Sequence, residues 1–324
     1  MKSVYLHCPL LKDEDYSLVL QRLCPPPVRN ITVYTRLPAG VKPKALEQLV
    51  QVQKDFSRER QVRFRNYGIF PAGSRFPKAM RRVLHKNGIA VELTVLPEKT
   101  AGLAAKVRRL EKAGIPCRLR VAQTEDQWAV YQQFARLGLP VCFEEPRYDA
   151  QTPDRFDRWL YDPTAQGVNI FTDILTMLTL QTYSPNCRHG SCFGSTFGVD
   201  ENLDIYLCPH RMTEKTRLGN LRQAADREAL FATPAVEQFL PGAVQKRQAC
   251  AQSCGSFPHC QGGCLLDSSW DCAGYRATVE RIRQRLPEIY RGQDLTRVNP
   301  VVKNAILNAL AFGTAFFKQP ASRL

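Results

Sequence analysis

The sequence predicts an α/β fold of repeated strand–helix units, followed by a cysteine-rich region and terminal helices. Through the first 145 residues, apolar strand-like runs alternate with amphipathic segments of helical spacing. Beyond them, eight of the twelve cysteines lie between residues 187 and 272, where long periodic runs are scarce. Alternating strands and helices imply parallel strands joined by right-handed crossovers.

Six apolar runs are the predicted strands, and they begin near Val4, Ile31, Val62, Ile89, Cys117 and Val141. The segments between them that have helical spacing are Pro43–Phe56, Phe76–Lys86, Ala101–Ala113 and Glu125–Leu137. The last three of these segments stop at or just before a glycine, which is a common helix end. Six such units suit either an open doubly wound sheet or a partial barrel, and periodicity alone does not separate the two.

Composition shifts along the chain predict four regions. Residues 1–146 form the strand–helix part, and residues 147–186 form a bridging segment. Residues 187–272 form the cysteine-rich domain, and residues 273–324 form C-terminal helices over about 273–296 and 299–318. The cysteine-rich region has little core of its own, so we expect it to need metal to hold its shape.

The overall composition is that of an ordinary soluble globular protein. The chain has 324 residues, of which 44% are apolar and 23% charged. It lacks a basic start followed by a long apolar run, and it has no stretch of about 18 apolar residues. We therefore expect a cytoplasmic location and no membrane association.

Positive charge is concentrated in one part of the sequence. The net charge is +15, and residues 61–120 hold 14 Lys and Arg against 3 Glu. A basic surface attracts acidic partners, such as nucleic acid, an acidic peptide or an acidic electron carrier. We predict a partner-binding helix face formed by Lys78, Arg81, Arg82 and Lys86, although a merely solvated face stays open. No aromatic-basic motif favours nucleic acid.

The clustered cysteines are the strongest chemical signal, and they are Cys187, Cys192, Cys208, Cys250, Cys254, Cys260, Cys264 and Cys272. Cytoplasmic thiols stay reduced, so such clusters more often bind metal than form disulfides. Eight thiolates suffice for two sites of four, and thiolates suit zinc or iron–sulfur clusters. Zinc pairs usually come as C-x2-C or C-x4-C. The x3 and x5 intervals of Cys250-x3-Cys254-x5-Cys260-x3-Cys264, with further cysteines well before and after the run, favour iron–sulfur but leave zinc open. Gly262 and Gly263 in this run allow unusual backbone dihedrals.

This region resembles the SPASM domain, the auxiliary-cluster extension of radical-SAM peptide and protein maturases. The pattern is matched by a leading pair (Cys187, Cys192), a hairpin at Val199–Leu207 closed by Cys208, an "LGN" segment at 217–221, the four-cysteine run and Cys272. Two departures stand out. The first interval of the run is x3 rather than x2, and the usual hairpin glycine is Leu203 here. Neither departure removes a thiolate.

The resemblance implies two [4Fe–4S] clusters and a partial (β/α)6 barrel before them. One cluster would be held by Cys187, Cys192, Cys208 and Cys264. The other would be held by Cys250, Cys254, Cys260 and Cys272. Both ligand sets come from the family pattern and not from the spacing.

The cysteine motif that holds the S-adenosylmethionine (SAM) cleaving cluster in radical-SAM enzymes, C-x3-C-x2-C, is missing. The first predicted strand ends at Cys8, and the next two motif positions are Lys12 and Asp15. No such motif occurs in the first 186 residues. We therefore expect no SAM cofactor, and no SAM cleavage by this chain alone. Proteins of this kind resemble the CXXX repeat peptide maturase type.

Three functions remain open at this stage. The resemblance implies an auxiliary-cluster partner of a complete radical-SAM enzyme, acting on a precursor peptide and taking electrons from an acidic donor. A second hypothesis is a peptide-recruiting module whose clusters are purely structural. A third is a zinc-binding protein. The sequence assigns no catalytic residue.

Overall fold

The computed structural model describes residues 3–8, 11–24, 32–37, 40–60, 62–96, 102–121, 126–144, 146–180, 195–260, 262–264, 266, 272–291 and 295–311. Its strands are β1 (Ser3–His7), β2 (Thr32–Leu37), β3 (Arg63–Pro71), β4 (Ala90–Val95), β5 (Cys117–Val121), β6 (Val141–Phe143), β7 (Thr196–Val199), β8 (Asp204–Tyr206) and β9 (Arg217–Asn220). The predicted α/β class is confirmed, since helices separate the first six strands.

The helices are α1 (Asp13–Leu23), α2 (Pro43–Arg60), α3 (Lys78–Lys86), α4 (Leu103–Lys112), α5 (Gln127–Ala135), α6 (Thr152–Leu160), α7 (Asn169–Leu180), α8 (Arg227–Phe231), α9 (Pro234–Ser253), α10 (Phe257–Cys260), α11 (Cys272–Arg291) and α12 (Pro300–Ala311). Helices α2 to α5 confirm the four amphipathic predictions. Helix α1 was not predicted from the sequence. The predicted final helix is confirmed as far as Ala311, and its remainder lies outside the described residues.

The chain divides into two compact units. The first contains Met1–Thr94, Ala105–Cys117 and Cys192–Gln245. The second contains Val95–Ala104, Arg118–Ser191 and Lys246–Leu324. The region boundaries predicted at 146, 186 and 272 remain predictions.

In the first unit, strands that follow each other in sequence lie side by side. Strand β1 pairs in parallel with β2, β2 with β3, and β3 with β4. Beyond β4, Val91 donates its backbone N–H to Pro116, immediately before β5, at 2.8 Å. A doubly wound sheet reverses its strand order near the middle. The uninterrupted order is instead that of a barrel wall.

A buried hydrogen-bond network shows which face of this sheet the helices cover. The Gln53 amide of α2 donates to Tyr16 of α1 at 2.9 Å and to Asn66 of β3 at 2.9 Å. Tyr16 also shares a 3.0 Å hydrogen bond with Thr35 of β2. Because side chains alternate between faces along a strand, Arg36 and Tyr67 lie on the face opposite to this network.

On its other side, β1 pairs in parallel with β7, which begins an antiparallel extension through β8 and β9. The predicted hairpin is therefore formed by β7 and β8, and the "LGN" segment forms strand β9, which pairs with β8. Burial by itself would raise the pKa of Asp204 at the hairpin. Hydrogen bonds from Arg217 and Asn220, at 2.9 Å each, outweigh this effect and hold that pKa below its usual value.

In the second unit, β5 and β6 pair in parallel, and the other edge of β6 is closed by a short segment before α7. Val168 forms a parallel bridge with Val141. The Asn169 amide then donates to the Phe143 carbonyl and accepts from its N–H, both at 2.8 Å. Helices α6, α7, α11 and α12 pack around a core that includes Phe156, Trp159 and Phe171.

Candidate metal centre

The four cysteines of one predicted tetrad lie at or beside helix ends in the second unit. Cys250 is in the last turn of α9, and Cys254 follows that helix, donating its N–H to the Cys250 carbonyl at 2.9 Å. Cys260 ends α10, and Cys272 is the first residue of α11. Three helix termini thus deliver the four thiols of one predicted tetrad.

The Cys260 thiol is in an environment of like charges. Burial raises its pKa, and the Cys272, Cys254 and Cys250 thiolates raise it further, while the Gly262 backbone N–H lowers it. Each of these thiolates must therefore lie near Cys260, because the interaction falls off with distance. Four thiolates in a half-buried site repel one another unless a cation neutralises them.

Two glycines shape the turn beside these thiols. Gly262 and Gly263 have φ of +86° and +73°, which side chains disfavour. Gly263 donates its N–H to the Cys260 carbonyl at 2.9 Å. A Cβ atom on Gly262 would lie 3.9 Å from the Cys250 sulfur. The glycines thus allow the backbone to pass close to the cysteines, as the sequence predicts.

By its chemistry, a set of four thiols suits either a zinc ion or an iron–sulfur cluster. Within the described ranges, no three His, Cys, Asp or Glu side chains converge tightly enough to hold one metal ion. A zinc ion needs its sulfur ligands about 2.3 Å from a single point. An iron–sulfur cluster is wider, and it gathers four cysteines from separated chain positions.

The second predicted tetrad is only partly described. Cys187 and Cys192 lie outside the described residues. Cys208 is buried after β8 in the first unit, and Cys264 is buried in the second unit, where Lys246 donates to its carbonyl at 3.3 Å. This ligand set remains a prediction.

A buried aromatic and acidic group next to the first tetrad was not predicted from the sequence. Burial raises the pKa of Tyr275, and Cys260, Asp173 and Cys272 raise it further. The Tyr275 ring packs edge-on against Tyr148, with ring centroids 5.1 Å apart. One signal was present in the sequence, since Asp173 is the only charged residue of the apolar helix α7.

Asp173 itself is an unusual acid. Burial raises its pKa to about 7, although Arg118 acts in the opposite direction. Its Oδ2 atom has no hydrogen-bond partner among the described residues. Around neutral pH, this carboxyl therefore exchanges a proton close to Tyr275.

Residues other than cysteine occupy two positions of the missing cysteine motif, and each has its own environment. Lys12 is exposed immediately before α1. Asp15, in the first turn of that helix, forms a 2.6 Å ion pair with Arg222. Burial raises the pKa of the Cys8 thiol to about 12, so Cys8 is a neutral thiol at physiological pH.

The predicted basic face lies on α3 in the first unit. Lys78, Arg82 and Lys86 are exposed there, whereas Arg81 is half-buried and donates to the Phe76 carbonyl at 2.7 Å. The neighbouring helix α4 adds exposed basic residues at Arg108, Arg109 and Lys112. The two helices meet where His85 contacts Gly114, with 3.3 Å between the ring nitrogen and the carbonyl oxygen.

The fold defined by these elements is that of a radical-SAM partial barrel with an antiparallel extension. The chain superposes on the native enzyme anSMEcpe with bound AdoMet and the Cp18Cys peptide, with a TM-score of 0.65 at 18% identity. That match covers 90% of this chain and 99% of the other. A second structure of that enzyme with AdoMet gives a TM-score of 0.62 at 15% identity, covering 93% and 99%. The predicted partial barrel is therefore confirmed.

Sequence comparison finds relatives of the same kind. The chain is 26% identical over 145 residues to the cysteine-type anaerobic sulfatase-maturating enzyme of Clostridium perfringens (strain 13 / Type A), covering 40% of this chain and 38% of the relative. Against the enzyme of strain ATCC 13124 it is 24% identical over 179 residues, covering 48% and 47%. The chain thus matches less than half the length of these curated relatives. No protein-family model matches the sequence. The chain is a distant relative of radical-SAM peptide maturases.

Proposed function

We propose that this chain is an iron–sulfur protein that acts in the maturation of a ribosomally synthesised peptide, beside a complete radical-SAM enzyme. The observation that carries the proposal is that Cys250, Cys254 and Cys272 all lie near enough to Cys260, in the second unit, to raise the pKa of its thiol. Thiolates from several helix ends are typical ligands of iron–sulfur clusters. The distant relationship to sulfatase-maturating enzymes supports the same assignment.

Two [4Fe–4S] clusters would be bound, one by this tetrad and the other by Cys187, Cys192, Cys208 and Cys264. When bound, such clusters supply one-electron transfer or a coordination site for substrate. Of the residues at the first tetrad, Tyr275 and Cys260 are buried, whereas Cys250, Cys254 and Cys272 are half-buried. The Gly262 N–H, which lowers the pKa of Cys260, favours its thiolate form.

Absence of the SAM-cluster motif is the reason for a separate radical enzyme. Lys12 and Asp15 stand where two cysteines would be needed, and Asp15 is held by Arg222. Radical generation would therefore be supplied by the partner. We assign the chain to the CXXX repeat peptide maturase type on the same grounds.

A precursor peptide and an acidic electron donor are the proposed partners. The related enzyme anSMEcpe binds the Cp18Cys peptide on the same fold. An acidic electron donor would dock on the basic face formed by Lys78, Arg81, Arg82 and Lys86, since opposite charge accelerates association.

Iron and sulfide content after anaerobic purification tests the proposal. Two clusters predict about eight irons and about eight sulfides per chain. Cys272→Ala should lose about half of the iron, because it removes a ligand of one tetrad only. Cys142→Ala is the matched control, since Cys142 is a buried cysteine of β6 in the same unit and belongs to neither tetrad.

The outcomes separate the three hypotheses. Zinc, or no metal, in the wild-type chain would refute the iron–sulfur assignment. Full iron in Cys272→Ala would refute the ligand set. Clusters that no physiological donor reduces would favour the alternative of a peptide-recruiting module with structural clusters.

A further inference from the structure

A groove runs between helices α5 and α6 in the second unit. It consists of two adjoining hollows of about 320 Å³ and about 260 Å³, and Trp128 lines both of them. The first hollow lies at the first turns of the two helices, and the second lies beside their later turns. Every residue that lines the groove belongs to the second unit, and no cysteine of the tetrad is among them.

The floor of the groove is aromatic. The Trp128 ring centroid lies 5.1 Å from that of Tyr131 and 6.1 Å from that of Phe171. Tyr131, Phe171 and Trp159 are buried beneath the groove, whereas Trp128 is half-buried. Trp128 therefore leaves part of its side chain accessible where the two hollows adjoin. A large apolar side chain of a ligand can pack against it there.

One stripe of α5 sets the length of the groove. Its members, three or four positions apart along the helix, are Trp128, Tyr131, Gln132, Ala135 and Arg136. At a rise of about 1.5 Å per residue, this stripe is about 12 Å long. An extended chain advances about 3.3 Å per residue, so the groove has room for about four residues of an extended peptide.

Arginines with available donors line the groove. Arg136 of α5 and Arg158 of α6 both line the second hollow, and Arg147 lines the first. All three are exposed, and no group in the described part of the chain pairs with their guanidinium groups. A fourth arginine, Arg155, is already held by Asp149 at 2.9 Å. The groove therefore presents three guanidinium groups to a ligand.

The aspartates of the groove, in contrast, are already engaged by their own segments. The Asp126 side chain caps the N-terminus of α5. Asp149 accepts from the Thr152 hydroxyl at 2.9 Å, and Asp162 accepts from the Thr164 hydroxyl at 2.7 Å. Guanidinium groups bind carboxylates through charge-assisted hydrogen bonds, so the available arginines favour a ligand that carries carboxylates.

We propose that the α5–α6 groove binds an extended acidic segment of a peptide, with one large apolar side chain against Trp128 and carboxylates at the three available arginines. A peptide fits better than nucleic acid, because the aspartates along the groove repel a backbone with a phosphate at every nucleotide. Successive bases also need several accessible rings for stacking, and Tyr131 and Trp159 are buried. The identity of this peptide as the precursor rests on the proposed function, whereas the chemistry of the groove does not.

Binding of blocked tripeptides to the full anaerobic chain tests this inference. The probes are N-acetyl-Glu-Phe-Glu-amide and its analogue N-acetyl-Gln-Phe-Gln-amide, titrated calorimetrically at low salt. We expect the Glu peptide to bind about tenfold more tightly, since two exposed ion pairs together are worth about that factor. Replacing Phe by Gly in the Glu peptide should weaken binding by about tenfold as well, because the contact with Trp128 is lost.

Two double variants locate the binding site. Arg136→Gln combined with Arg158→Gln should abolish the preference for the Glu peptide, and the fold should be kept because both positions are exposed. Arg291→Gln combined with Lys303→Gln is the matched control. It removes two exposed charges from α11 and α12 of the same unit, and neither residue lines the groove. The control should keep the preference.

Other results would overturn the inference. Equal affinity for the Glu and Gln peptides would do so, as would equal effects of the two double variants or no loss of affinity without Phe. Tighter binding of a short oligothymidylate, weakened by the groove variant alone, would assign the groove to nucleic acid instead. Iron content separates the two proposals. A chain with its iron but no preference refutes only this inference, and a chain without iron that prefers the Glu peptide refutes only the proposed function.

Discussion

Leu203 holds a backbone conformation that leucine rarely adopts. Its φ is +65°, and it is the only residue other than glycine with a positive φ in the described part of the chain. Its side chain is nonetheless fully buried at the hairpin between β7 and β8. The SPASM pattern that this region resembles has glycine at this position, and glycine favours a left-handed backbone. Leu203 adopts that left-handed conformation here. Burial of the side chain offsets the backbone strain.

We predict that Leu203→Gly lowers the stability of the protein. Relief of the left-handed strain is worth about 1–2 kcal/mol. Truncation of a buried leucine costs about 2–5 kcal/mol, and the flexibility of glycine adds about 0.5–1 kcal/mol. The net loss should be about 2 kcal/mol, measured as a lower midpoint in urea unfolding. Leu203→Ala keeps the strain and should be less stable still. A glycine variant more stable than the wild type would contradict this account.

The tetrad ligands could be identified as residues from the sequence, whereas their surroundings could not. The grouping of Cys250, Cys254, Cys260 and Cys272 is what the resemblance to the SPASM pattern implies. Asp173 and Tyr275 come from helices far apart in sequence, so their proximity depends on tertiary packing. The placement of His7, Arg36 and Tyr67 side by side on β1, β2 and β3 likewise depends on the strand register, which periodicity does not supply.

At the scale of elements, helices α2 to α5 were predictable and α1 was not. Helices α2 to α5 have either a proline start or a glycine stop beside an amphipathic pattern. Helix α1 has neither signal, and no side chain hydrogen-bonds its N-terminus. Its buried stripe of Tyr16, Val19, Leu20 and Leu23 is stabilised by tertiary contacts instead. The first strand–helix unit therefore depends on packing more than on local signals.

Near its first turn, helix α11 makes a close approach to the backbone of another segment. A Cβ on Gly274 would lie 2.6 Å from the Tyr148 backbone, which cannot move as a flexible side chain could. Since Cys272 begins this helix, the same contact sets where one thiol of the tetrad lies. Glycine at 274 thus links packing to the candidate metal centre.

We predict that Gly274→Ala destabilises the protein by about 1–3 kcal/mol, the usual cost of overpacking. The midpoint of thermal unfolding should fall, and iron should be lost more quickly to a chelator, because α11 must shift. Gly242→Ala on α9 is the matched control, since a Cβ there meets no atom within 4 Å. The control should retain its iron. An unchanged melting midpoint in Gly274→Ala would show that the contact relaxes easily.

At the scale of the whole molecule, the sequence predicted the strand–helix order but left the sheet type open. The sheet type is decided by the side-by-side order of successive strands, which runs from β1 to β4 in one unit and from β5 to β6 in the other. The fold is kept at 18% identity with anSMEcpe, because burial and turn geometry constrain it more than residue identity does. No helix in the described ranges is long and apolar enough to cross a membrane.

The basic face should control how fast an acidic electron donor associates with the chain. Reversing Lys78, Arg82 and Lys86 to Glu should slow association with an acidic flavodoxin about tenfold at low salt, since steering depends on charge near the docking site. Stopped-flow reduction at several salt concentrations measures this rate. The control replaces Lys42, Lys44 and Lys54 by Glu. These lysines are exposed beside or on α2, and their replacement changes the net charge by the same amount. Similar slowing by both triple variants would show that only net charge matters.

Asn169 has a further consequence for contacts between molecules. A strand at the end of a sheet offers unpaired amides to any extended chain, and such edges nucleate fibrils. On β6 these groups already have partners. The Val141 N–H donates to the Gly167 carbonyl, and the Asn169 side-chain amide hydrogen-bonds both the N–H and the carbonyl of Phe143. The Asn169 side chain thus prevents a strand of a neighbouring copy from pairing with this edge of β6.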